Sequence, residues 1–139
     1  MDTKRRQSWL LAVVIVGAVY AVVGVVFALP ASHVRAWRLA AWVVSGFAYA
    51  IHVGYECFWL GNSSRSAALH VALAAALGAL GLAVGAIIHA VSAATTSEHQ
   101  RLLLLALVAW PVITGVPAFL VGLMLSFLCR ILRQKNDAA

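Results

Sequence analysis

Ser45, Tyr49, His52 and Glu56 follow one another at intervals of four, three and four residues. On a helix those intervals put all four side chains on one face, within an arc of about 60°. Arg38 falls on the same line at the far end. A hydroxyl, a phenol, an imidazole and a carboxylate in a row can hand a proton along or hold a cation. His70 extends the set. Glu56 lies seven residues before Ser63 and His70 seven after it, so a chain that reverses there brings the two to one level, with His52 a helical turn deeper. Two imidazoles and a carboxylate suit a proton relay, because imidazole takes up and releases protons near neutral pH.

The same three residues, His52, Glu56 and His70, are also the ligand types of zinc or iron. A bis-histidine haem would pair His52 with His70, or His33 with His89. Each pair is offset by about four residues, ~6 Å of helix rise, which disfavours haem. The expectation is no cofactor, with haem or a divalent metal as the alternatives. A structural role for Glu56 is an equal competitor, since it sits close enough to a helix end to pair with Arg65 or Arg130.

A second group lies further along the chain. Pro111 and Pro117 remove two backbone donors and free the carbonyls of Leu107 and Ile113, with Thr114 placed to satisfy one of them. The expectation is a bend or local unwinding between Leu107 and Pro117, with Ile113 and Thr114 turned toward the polar face. Broken helices of this kind line many transport sites, and passive kinks are the commoner alternative.

The elements that must carry these groups are long and apolar. Residues 7–34, 39–64, 66–97 and 102–129 contain one charged side chain between them, Glu56. A membrane-spanning helix needs ~20 mainly apolar residues, and each stretch is long enough. The expected fold is all-α: an integral membrane bundle of four transmembrane helices with short loops, over about 8–29, 34–60, 66–93 and 98–133, the whole of 1–139 forming a single domain. A composition of 64% hydrophobic and 10% charged residues, with a mean hydropathy of +0.98, excludes an ordinary soluble domain.

The net charge of +6 could suggest nucleic acid. However, the basic residues cluster at the two ends and in turns, without the contiguous basic face that phosphate binding needs. They read as topology signals, placing both termini and the Gly61–Arg65 turn in the cytoplasm and residues 30–38 and 95–101 outside. Arg35 and Arg38 stand on the less favoured side. The expected location is the plasma membrane, that of a bacterial inner membrane, with the lipid bilayer as the first partner. The apolar run from Trp9 to Leu29 exceeds the core of a signal peptide and is read as a retained helix. Cys57 and Cys129 fall near cytoplasmic helix ends, where thiols stay reduced.

Small residues mark the packing faces. Gly17 and Gly24 with Ala21 and Ala28 form one face of the first helix, and Gly78, Gly81 and Gly85 share a face of the third with His70. Two such faces on so small a chain imply homo-oligomers or partner subunits in the membrane. Phosphate loops, paired metalloprotease histidines and nucleophile elbows are absent, so nothing supports an enzyme. The expected function is an oligomeric transporter or channel-like protein that moves or relays a proton, an ion or a small polar solute. A non-catalytic subunit of a larger redox complex and a membrane-perturbing effector are the alternatives.

Overall fold

The computed structural model describes residues 3–27, 32–92 and 97–137. Its elements are α1 (Thr3–Val26), α2 (Val34–Gly54), a π-helical turn (Tyr55–Trp59), α3 (Ser64–Ser92) and α4 (Ser97–Asp137), with no strand among the described residues. Three helices, over Ser8–Val26, Ser64–Ile88 and Arg101–Gln134, are long and apolar enough to cross a membrane. The chain is therefore a helical, multi-pass membrane protein. α2 is not among these three: Arg35 and Arg38 stand in its first turns, and Ser45, Tyr49 and His52 follow along one face.

α3 is the centre of the bundle. Ala67, Ala68, Val71, Ala72, Ala74, Ala79 and Ala83 are all buried along it. Small side chains allow this, since helices in lipid associate through close backbone approach rather than through a hydrophobic drive. On one side α1 crosses α3 at Gly17 and Gly78. A methyl group on Gly78 would lie 2.5 Å from Tyr20 Cβ and 3.2 Å from the Gly17 carbonyl, and one on Gly17 would lie 2.9 Å from Leu77 Cβ. Gly81 faces Ala21, and Gly24 faces Leu82. Position numbers rise together in these contacts, so α1 and α3 run parallel. Gly85 is different: among the described residues nothing lies within 4 Å of a methyl group placed there. Gly85 thus makes no close crossing among the described residues, and α1 ends at Val26.

On the other side α4 runs antiparallel to α3. Gly115 sits against Ala76 and Ala72, and Gly122 against Ala68. This seam of alanines and two glycines one heptad apart is the second close contact of the fold. α2 meets the bundle mainly through its second half. Residues 34–39 are exposed, while Phe27 packs edge-on against Trp37 at 5.7 Å and ties the end of α1 to the start of α2. The outward faces of all four helices carry Leu, Val, Ile, Phe and Trp. That is a surface suited to lipid.

α4 corrects one expectation. It is a single helix from Ser97 to Asp137 with both Pro111 and Pro117 inside it, so there is no unwound segment. The Thr114 hydroxyl donates to the Trp110 carbonyl at 2.8 Å and reaches the Pro111 carbonyl at 3.3 Å, rather than serving Leu107 or Ile113. Ile113 is 61% exposed and turned outward. A local hydroxyl-to-backbone bond one turn back is compatible with a continuous helix, and neighbouring turns absorb the prolines.

The turn between α2 and α3 is built residue by residue. Leu60 N–H donates to the Tyr55 carbonyl at 3.1 Å, the five-residue reach of a π turn. Gly61 then takes a left-handed φ of 59°, which costs glycine little. Asn62 N–H closes back onto the Glu56 carbonyl at 3.2 Å. Ser63 caps α3, its Oγ accepting from Ser66 N–H at 3.3 Å.

Candidate functional site

Glu56 lies within the π turn and is completely buried. A carboxylate held away from water loses hydration worth several kcal/mol, so its partners decide whether the site is tolerable. The π turn supplies the first of them. By widening the backbone it swings Asn62 over the carboxylate, and Asn62 Nδ2 donates to Oε2 at 2.6 Å. α3 supplies the second: His70 Nδ1 stands 3.0 Å from the same oxygen. With the carboxylate ionised, that nitrogen carries the proton.

The other oxygen is left open. Oε1 has no hydrogen-bond partner, and His52 Nε2 stands 3.8 Å away, one helical turn deeper on α2. That separation is too long for a hydrogen bond. Both ring nitrogens of His52 are buried without partners, and the residue is 2% exposed. The cluster therefore has one saturated side, at Asn62 and His70, and one unsaturated side, between Oε1 and His52. α1 closes it: the Trp9 indole stacks on the His70 ring at 4.3 Å, with 3° between the planes. The stacking fixes the plane of the imidazole that aims Nδ1 at Glu56.

The polar face of α2 divides in two. His52, Glu56 and His70 come together, with the depth match that the seven-residue offsets imply. Tyr49 does not join them. Its hydroxyl donates to the Ala118 carbonyl of α4 and lies over Gly122, so it fastens α2 to α4. Ser45 is half-buried and Arg38 is exposed. Pro111, Ile113, Thr114 and Pro117 make no contribution to the cluster. Arg65 and Arg130 are both exposed, and no ion pair joins either to Glu56, whose carboxylate faces two imidazoles and the Asn62 amide.

The described residues offer no prepared metal geometry. Among the described residues no three His, Cys, Asp or Glu side chains surround a common point. His52 and His70 instead approach different oxygens of one carboxylate. His33 is exposed in a left-handed backbone conformation, φ 55°. The side chains of His89 and His99 lie outside the described residues.

Asn62 also links the buried cluster to the surface. It lines an open cleft of about 430 Å³ together with Cys57, Ser63, Cys129, Arg130 and Arg133. Cys57 and Cys129 are both free. The Ser126 hydroxyl, one turn before Cys129, is buried without a partner. A polar line thus runs from the cleft through Asn62 to Glu56 and on to His52. Two residues of the site escape the sequence reading, Asn62 and Trp9. Six positions separate Asn62 from Glu56, a spacing that no regular helix brings together. Trp9 reaches His70 only because α1 and α3 run parallel at that level.

The chain matches no protein-family model, and comparisons with curated proteins and with solved structures find no match.

Proposed function

We propose that this chain is a four-helix membrane protein that relays a proton or a small cation through the Asn62, Glu56, His52 and His70 cluster. The observation that carries the reading is a fully buried carboxylate with one saturated and one open oxygen in an apolar bundle. Ionisable groups at membrane depth are expensive and cluster on substrate and ion paths. A purely structural carboxylate gains most when both oxygens are satisfied. Glu56 instead keeps Oε1 facing an unpartnered imidazole. A proton arriving from the cleft is held at the carboxylate, and a sub-ångström approach of His52 makes the next hydrogen bond inward.

α2 is the fourth crossing in this reading. Both termini and Arg65 lie on the cytoplasmic side of a plasma membrane, which places the cleft there. Oligomerisation follows from the uncovered first half of α2, where Arg35 and Arg38 are better served by a second copy than by lipid. A non-transporting subunit of a larger membrane complex would use the same surface, and is the second reading.

Reconstitution into liposomes that hold a pH-sensitive dye tests the relay. Wild-type protein should dissipate an imposed pH gradient. Glu56→Gln should lower the rate at least tenfold while leaving the thermal midpoint in detergent within a few degrees, since an amide can keep the bonds to Asn62 and His70. Normal dissipation by Glu56→Gln would sink the proposal. Loss of folding alone, with unchanged rate per folded molecule, would establish the structural role instead.

A further inference from the structure

Where the 61–65 turn passes α4, the surface is basic and its charges are unspent. Arg65, Arg130 and Arg133 are all exposed. Among the described side chains the one carboxylate is Glu56, and it is committed to Asn62 and His70. Among the described residues no ion pair neutralises any of the three arginines there.

A second cleft, of about 550 Å³, opens between the turn and α4. Its lining is segregated. Ser63, Ser64, Arg65 and Arg130 form one part, and Leu123, Met124 and Phe127 form the other. Arg130 and Leu123 are seven residues apart on α4, which is ~10 Å along the axis. The polar part therefore sits at the end of the bundle and the apolar part about two turns inward along the lipid-facing flank. Met124 and Phe127 are 72% and 61% exposed, so this floor continues into the outer apolar surface. The Ser64 Oγ atom is buried without a partner. Ser64 also opens α3, whose first turn adds the positive end of the helix dipole.

We infer that this cleft holds one anionic phospholipid per chain, its phosphate between Arg65 and Arg130 with the Ser64 hydroxyl as a further donor, and an acyl chain along Leu123, Met124 and Phe127. Charge selects the headgroup. Two arginines with no counter-ion among the described residues attract a phosphate that bears a net negative charge, and they repel the ammonium of a zwitterionic lipid. The apolar floor selects the chain, because a free phosphate gains nothing from it. Basic pockets between helices are the usual seat of such headgroups. The inference does not depend on the relay: it uses neither Glu56 nor the histidines.

The test uses the purified full chain, delipidated in a neutral detergent, and reads bound lipid by native mass spectrometry and thermal midpoint by tryptophan fluorescence. Phosphatidylglycerol should bind one per chain and raise the midpoint, while phosphatidylcholine and inorganic phosphate should do neither. Arg65→Gln with Arg130→Gln should weaken phosphatidylglycerol binding on the order of tenfold or more, at about 1 kcal/mol per basic residue near an anionic headgroup. Arg65→Lys with Arg130→Lys should retain most of it. Met124→Ser should weaken the lipid without creating phosphate binding. Equal binding of phosphatidylcholine, or undiminished binding by the Gln pair, would overturn the inference. Equal stabilisation by inorganic phosphate would overturn it too, by showing an anion site that makes no use of the acyl groove.

Discussion

The side chain of Asn62 carries more of the site than its place in a turn suggests. Its 2.6 Å bond to Glu56 Oε2 is a hydrogen bond to a buried acid, with a net worth of about 1.5–3 kcal/mol if the acid is charged. Asn62→Ala should therefore lower unfolding stability in detergent by about that much, whereas Ser45→Ala, half-buried and outside the cluster, should stay within about 0.5 kcal/mol. Equal effects from the two would show that Asn62 is not a working partner. At this scale the sequence is legible where helical periodicity governs. His52, Glu56 and His70 can be aligned by counting, because both flanking segments are helices and the turn between them is short. Asn62 cannot, since its position over Glu56 depends on a π turn that the letters Tyr-Glu-Cys-Phe-Trp do not announce. Trp9 cannot either, because its contact depends on how two helices 61 residues apart in sequence are paired.

Among the elements, the close crossings set the shape. Gly78 is surrounded, with Tyr20 and the Gly17 carbonyl where a methyl group would go, whereas Gly85 on the same helix meets nothing among the described residues. Gly78→Ala should push α1 from α3 and cost about 1–3 kcal/mol. Gly85→Ala should be neutral, or stabilise by up to about 1 kcal/mol through helix propensity. Thermal unfolding of the two variants side by side decides it, and a reversed order would contradict the crossing. Both glycines look alike in sequence, because a stripe shows a face without showing where the partner leaves it. The α3–α4 seam was hidden for another reason. Pro111 and Pro117 dominate the reading of α4, while the residues that pack, Gly115 and Gly122, lie between and beyond them against unremarked alanines. Helix length outvotes the prolines: with so many backbone bonds on either side, two missing donors leave α4 continuous.

For the whole molecule, the number of crossings matters more than any single contact. Parallel α1 and α3, with α4 antiparallel to α3, are what alternate passage through a membrane produces. The four crossings proposed would put Thr3, Ser64 and Asn136 on one side and Ser97 on the other. Single cysteines introduced by Thr3→Cys, Ser64→Cys, Ser97→Cys and Asn136→Cys, with Cys57 and Cys129 replaced by serine, should divide in that way toward a membrane-impermeant thiol reagent applied to intact cells. Only Ser97→Cys should react. Labelling at Thr3→Cys would reverse the orientation, and labelling at one terminus alone would mean that α2 does not cross. Membrane location is legible from composition because the bilayer imposes its demand on every residue of a span. The proposed function is less so, because that reading rests on one carboxylate.

The stack of Trp9 on His70 has an optical consequence. An indole 4.3 Å from an imidazole and parallel to it is close enough for its excited state to be quenched by electron transfer to that ring. Trp9 is thus a reporter built into the wall of the cluster. In a chain whose other tryptophans are replaced by phenylalanine, His70→Leu should brighten the emission, and unchanged emission would show that the stack is not formed. Light would then report the packing of α1 on the buried site directly, in a sealed vesicle, without a dye and without any transported species having to be known.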